Sequence, residues 1–262
     1  MRQNFLLIIF SKCLIFLIFA TQMEVKTKAI VLRTVRYGDS RMIVDMLTAG
    51  VGRVSFACGL SKTNRGKIKK QFFQPLTLLD IVFDYRPTVE LQRLRDVRMS
   101  CPFVSIPFDA YKLSIGLFLA EFLVYASKGE QDGKQLEAFT EKSLLWLDNA
   151  VDDFANFHLV FMIHASLFVG FYPNLEGYRD GAWFDLRDGS FTMNCPSHPD
   201  YLVPEQARRI LLLTRMNFDN MRLFRMNREE RNRCLDVIMT YYRLHVPNFP
   251  ELRSLKVLRE LF

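Results

Sequence analysis

The sequence predicts an α+β protein in which a small five-stranded barrel is followed by an all-helical half carrying a compact insert. Three observations predict it. Ahead of residue 105, runs with alternating or β-branched apolar residues recur five times, separated by glycine and proline turns. Beyond it, helical periodicity takes over. Within the helical half, residues 172–203 break the pattern with aspartate and glycine turns and short apolar runs. At 262 residues, half of them hydrophobic, the chain has room for two such units, each with its own core.

The elements follow in order. Residues 1–22 are an apolar leader after Arg2, interrupted by Lys12, where a helix-centre lysine costs roughly 2.5–3.5 kcal/mol on insertion scales. The leader is therefore expected to be neither anchor nor signal peptide but an upstream over-reading of the start, with Met23 as the native first residue. Strands are expected at 26–35, 42–47, 53–57, 76–85 and 89–97, with 36–39 as a turn, so that 23–104 forms the barrel unit. Strand counting fits a five-stranded OB-fold, the type that binds nucleic-acid strands, and leaves an SH3-like barrel open. Two prolines around 103–106 mark the boundary, and 105–262 is the helical domain. Helices are expected at 109–126, apolar on nearly all sides and hence buried, at 134–149, at 154–171 and, after the insert 172–203, at 204–215 and 228–245. Asn227 and Glu230 form a capping box for the last of these. The closing residues supply one more amphipathic turn or two.

The formal charge is +7 and the sequence pI about 9.2, which points to an anionic partner such as nucleic acid. The charge is densest at 59–73, GLSKTNRGKIKKQFF, where Lys62, Arg65, Lys67, Lys69 and Lys70 stand with no acid among them. Together with Arg33, Arg36 and Arg41 these are the expected phosphate ligands. Tyr37, Phe72 and Phe73 are candidate stacking surfaces, although Phe72 and Phe73 lead into an apolar strand and at least one belongs to the core. Arg208, Arg209, Arg222, Arg225, Arg231 and Arg233 rank second, as helix surface.

Catalytic signatures are missing: no phosphate-cradling glycine loop, no GxSxG, HExxH or paired CxxC occurs. Asp39 with Asp45, and Asp80 with Asp84, read as turn and strand-edge residues rather than metal ligands. His158 and His164 are six apart, whereas ligation from one helix face wants four, so they read as packed core histidines. The five cysteines, Cys13, Cys58, Cys101, Cys195 and Cys234, are odd in number and widely spaced, which suggests no disulfide framework and fits a reducing, cytoplasmic compartment. A non-enzymatic binding protein is expected, with no cofactor. The competing readings are a scaffold whose helical domain binds protein partners while the barrel caps it, and a membrane-associated protein anchored by its leader.

Three segments, KTKAIVLRTVRYGDSRMIVDMLTAGVGRVSFACGLSKTNRGK, HASLFVGFYPNL and LHVPNFPELRSLKVLREL, resemble the RecO family of bacterial recombination mediators: the first is similar to the family's opening OB domain, the second to its helix end ahead of the zinc-finger insert, and the third to its closing segment. The resemblance implies binding to single- and double-stranded DNA, annealing of complementary strands, and recombinase loading together with RecR and single-stranded DNA-binding protein. It also implies a finger-like insert, but where many members carry two cysteine pairs this chain has LEGYRDG and then Cys195-Pro-Ser-His198. Two ligands do not make a structural zinc site. The insert is therefore expected to fold without metal around Tyr178, Trp183, Phe184 and Phe191.

Overall fold

The computed structural model describes residues 23–38, 41–59, 69–129 and 133–262. The leader 1–22 and the cations Lys62, Arg65 and Lys67 lie outside the described residues, as does Asp39.

Five strands, β1 (Met23–Tyr37), β2 (Arg41–Thr48), β3 (Gly52–Gly59), β4 (Leu78–Tyr85) and β5 (Leu91–Cys101), pair in the order β1-β2-β3-β5-β4, and β4 returns to β1 to close the sheet into a barrel. All pairings are antiparallel except a short parallel one that joins Ser55 and Phe56 to Leu91 and Gln92. Alternate residues point inward, and Ala29, Val31, Met42, Val44, Met46, Phe56, Ile81 and Phe83 fill the interior. Phe56 and Phe83 meet edge to face at 5.0 Å.

The strand bounds differ from the sequence reading by up to four residues, and two of the differences have a clear local reason. β4 begins at Leu78 rather than 76 because Leu76 has φ 68, a left-handed backbone that ends any strand. Its N–H still donates to the Val31 carbonyl at 2.6 Å, and its side chain is buried. β1 runs on to Tyr37, so Arg36 and Tyr37 of the expected turn are strand, while Gly38, with φ 70, begins the reversal as expected.

The helical half comprises α1 (Ala110–Ala126), α2 (Lys134–Asn149), α3 (Phe157–Phe168), α4 (Pro204–Arg215), α5 (Arg228–His245) and α6 (Leu255–Leu261). Asp109 caps α1 by accepting from the N–H groups of Tyr111 and Lys112. The capping box on α5 is present, with Asn227 and Glu230 satisfying each other's backbone N–H. Phe122, Phe161, Tyr242 and Phe249 pack ring against ring at the centre. α1 is not sealed all round, since Leu113 and Leu117 remain partly exposed on one flank.

Several contacts fix the barrel to the helices, and two of them set how the halves join. β1 buries Ile30 and Leu32 outward, into the helical core across α1, while Ala29 and Val31 point into the barrel. That two-sided burial explains the unbroken apolar run AIVL in a strand that otherwise alternates. The connection between the halves is pinned by Asp148, whose carboxylate accepts the N–H groups of Val104 at 2.8 Å, Ser105 at 2.8 Å and Ile106 at 2.9 Å. Burial works to raise its pKa, but these hydrogen bonds outweigh burial and hold it below the usual carboxylate range. Lys112 Nζ closes the arrangement by donating to Ser105 Oγ at 2.6 Å.

The insert is a three-stranded sheet of β6 (Trp183–Asp185), β7 (Ser190–Thr192) and β8 (Tyr201–Leu202), ordered β7-β6-β8. Phe184, Phe191 and Leu202 turn toward α4 and Tyr241 of α5, with Tyr178 partly buried beside them. Trp183 lies outside this cluster, because in a strand successive side chains alternate and Phe184 takes the inward position. It packs on Tyr201 instead, edge to face at 5.0 Å.

Candidate nucleic-acid interface

One end of the barrel collects the described cations of the expected site. Cross-strand register sets Tyr37 opposite Arg41, and Arg41 opposite Gly59, the last residue of β3 before the basic run. The chain returns at Lys69 and Lys70 and passes through a short 3-10 turn, Lys70–Phe73. That turn is tied to the same strand: Thr34 Oγ1 donates to the Phe73 carbonyl at 2.7 Å, and Val31 N–H donates to Thr77 O at 3.1 Å. Both ends of the basic segment therefore stand beside the outer half of β1.

Arg36, Arg41, Lys69 and Lys70 are exposed and make no ion pair with a described residue. Tyr37 is 66% exposed, a high value for an aromatic side chain. Phe73 is buried in the barrel core and offers no face to a base, while Phe72 packs partly against that core and remains half-buried. Cys58, one residue before the end of β3, also points inward, and burial pushes its thiol up to about 12. It is a neutral core residue rather than a nucleophile.

Arg33 differs from the other cations. Its Nε and Nη2 donate to Asp45 Oδ2 at 2.9 and 2.7 Å, and Ser55 Oγ donates to Asp45 Oδ1 at 2.6 Å. Asp45 is buried, so Arg33 neutralises a core carboxylate while half of its side chain stays exposed. Asp84 is similarly engaged by Arg95 Nε at 2.6 Å.

The second-ranked arginines divide. Arg231 is tied to Asn156 Oδ1 and to the carbonyls of Met226 and Phe262, and burial lowers its pKa. Arg208 pairs with Asp180, and Arg233 with Glu229 at 3.5 Å. Arg222 and Arg225 are exposed.

The histidines are structural. His158 is fully enclosed; burial first, and then the nearby Arg231 charge, push its pKa down to about 3 and keep it neutral. His164 Nε2 lies 2.7 Å from the Met216 carbonyl. His198 Nε2 is 3.1 Å from Asp185 Oδ2, while its Nδ1 accepts from Asp200 N–H at 3.2 Å. This latches the insert's turns and leaves neither ring nitrogen toward Cys195, which is exposed. Among the described residues no group of three or more His, Cys, Asp or Glu could hold a metal ion. No helix among them is long and apolar enough to cross a membrane.

One cluster escaped the sequence reading. Lys28 of β1 meets Glu141 of α2, with Glu137 of the same helix and Asp80 of β4 beside them. The four-residue spacing of Glu137 and Glu141 on an amphipathic helix was the available signal.

The family model described as "Recombination protein O N terminal" matches residues 23–103, and the one described as "Recombination protein O C terminal" matches residues 107–256. A protein of Bacteroides fragilis named "DNA repair protein RecO" is 47% identical over 238 residues, covering 90% of this chain and 98% of that protein. Proteins of the same name from Phocaeicola vulgatus, 46% identical over 237 residues, and from Flavobacterium psychrophilum, 32% identical over 245, cover 90% and 92% of this chain and 98% and 100% of their own lengths. On the strength of two adjoining family matches and relatives alike over nearly their whole lengths, the chain belongs to the RecO family.

Proposed function

We propose that the protein is a cytoplasmic, non-enzymatic DNA-binding mediator of recombinational repair, which binds single- and double-stranded DNA, promotes annealing of complementary strands and helps load the recombinase together with RecR and single-stranded DNA-binding protein. In this reading 23–104 is an OB-fold domain, 105–262 the helical domain, and 172–203 a metal-free counterpart of the family's finger. Lys62, Arg65, Lys67, Lys69 and Lys70, with Arg36 and Arg41, hold phosphates. Tyr37 stacks on a base. Arg33, already paired to Asp45, contributes least.

The observation that carries the reading is the convergence at one barrel end of Tyr37, Arg41 and both flanks of the basic segment. Such contacts are indifferent to sequence, as annealing of arbitrary strands requires, and act by displacing condensed counterions. An apolar groove of about 340 Å³ between Pro75, Met99, Phe103 and the open flank of α1 supports the docking of protein partners. It is also what the scaffold reading would use.

The test is a salt titration of binding to single-stranded and duplex oligonucleotides, with Lys62, Arg65, Lys67, Lys69 and Lys70 changed to Ala in a protein shown to be folded. Affinity is expected to fall alike for unrelated sequences. The slope against log salt flattens by about 0.9 for each duplex phosphate that is no longer neutralised, or by about 0.7 on single strands. An unchanged slope overturns the reading in favour of the scaffold.

A further inference from the structure

The seam between α2 and the barrel is unusually close. A Cβ added at Gly133, the residue before α2, would collide with the Thr48 carbonyl oxygen and lie 2.6 Å from Gly52 Cα, both backbone atoms of the β2–β3 turn. One helical turn further on, Glu137 is 3% exposed. Among the described residues, the charged groups facing it are Glu141 from its own helix, Lys28 from β1, and Asp80 from β4, which pairs with Lys28 across the sheet. Lys28 Nζ already donates to both oxygens of Glu141, at 2.8 Å each. Three carboxylates thus share one lysine, the lysine is committed to Glu141, and Glu137 is the carboxylate inside.

We propose that Glu137, with Glu141, Lys28 and Asp80, forms a proton-operated latch between the barrel and the helical half, which is closed while Glu137 is protonated and loosened when it ionises. Ionising a carboxyl in that position puts a buried negative charge next to Glu141 while, among the described residues, the lysine facing both is already committed to Glu141. Burial first, and then Glu141, push the Glu137 carboxyl up to about 7, with Lys28 opposing.

The direction follows from linkage. In an opened seam Glu137 is hydrated and returns to an ordinary carboxylate value of about 4.3. The closed form therefore binds the proton more tightly. Its advantage is complete below that value, falls by about tenfold per pH unit as pH rises toward 7, and changes no further above it. The latch is inert at alkaline pH and tightens on acidification from neutrality.

Hydrogen exchange of the intact protein between about pH 5.5 and 8, corrected for intrinsic rates, tests this at two places. Amides of the first turns of α2 report the seam, and those of α3 report global opening. Protection in α2 relative to α3 is expected to drop roughly tenfold per unit through the lower part of this range and to level off above 7. Glu137→Gln should remain protected throughout with no pH dependence. Glu141→Gln, which removes the neighbouring charge and frees Lys28, should move the midpoint to lower pH, and it carries the test if the first variant does not fold. A flat wild-type profile, a slope that persists in Glu137→Gln, an unmoved midpoint in Glu141→Gln, or equal changes in α2 and α3 would each overturn the latch.

Discussion

The two halves of strand β1 share a backbone and little else. From Ala29 to Leu32 the strand is buried on both faces, with Ala29 and Val31 in the barrel core and Ile30 and Leu32 in the helical core. From Arg33 onward its side chains are exposed or nearly so, ending at Arg36 and Tyr37. The change falls where the pairing of β1 with β2 slips register between Val31 and Arg33, an irregularity of the kind that bends a strand and re-aims its side chains. The inner half welds the barrel to the helices, and the outer half presents cations and an aromatic ring from that rigid base. A binding surface of long basic side chains gains from such anchoring, because less freedom remains to be lost when a strand of nucleic acid is bound.

If the halves are functionally separate, damage to one should leave the other intact. The largest effect is expected for Ile30→Ala. Ile30 is fully buried between β1 and α1, and trimming such a side chain costs about 2–5 kcal/mol through lost burial and the cavity left behind. Urea unfolding should show that loss, while the refolded variant retains the wild-type salt slope for DNA. A changed slope in folded Ile30→Ala would mean that the weld and the interface are one unit.

Much of this comparison could be read from residue types, and the unread part has a common cause. Charge density at 59–73 marked the basic segment without any structure, and the Asn227–Glu230 spacing marked the start of α5. The pattern of alternating and β-branched apolar runs located all five strands. It could not show that the run at 29–32 has two cores to fill, since a continuous apolar run looks the same whether it serves one core or two. Nor could it assign the faces of a three-residue strand, so Trp183 and Phe184 were both expected in the insert's cluster, where only Phe184 lies. The pairing of Arg33 with Asp45 depends on cross-strand register, which the irregularity after Val31 sets and no local pattern announces. The seam cluster joins residues from three elements, Lys28, Asp80 and Glu137, whose meeting is a property of the closed barrel and of where α2 crosses it.

A smaller effect is expected at the tip of the outer half. Tyr37 is exposed opposite Arg41 and far from either core, so Tyr37→Ala should leave the unfolding midpoint unchanged. Loss of base stacking should weaken single-strand binding by about 1–3 kcal/mol. Duplex DNA keeps its bases stacked on one another, so its affinity should barely move. Equal losses for single strands and duplex would show that Tyr37 supports the hairpin rather than meeting a base.

The smallest effect on binding is expected for Arg33→Ala, and it separates two kinds of arginine on one strand. Arg36 has no acidic partner among the described residues, so Arg36→Ala should free about one phosphate and lower the duplex salt slope by about 0.9. Arg33 already spends its charge on Asp45. Removing it should leave the slope near the wild-type value while stranding a buried carboxylate that retains only the Ser55 hydroxyl. The cost then appears in stability, at about 1–3 kcal/mol for a core acceptor that loses its charged donor, and it should shrink when Asp45→Asn is added, because the amide needs no counter-charge. A slope that falls as far with Arg33→Ala as with Arg36→Ala would place Arg33 on the DNA with the rest of the outer half of β1, its pairing with Asp45 notwithstanding.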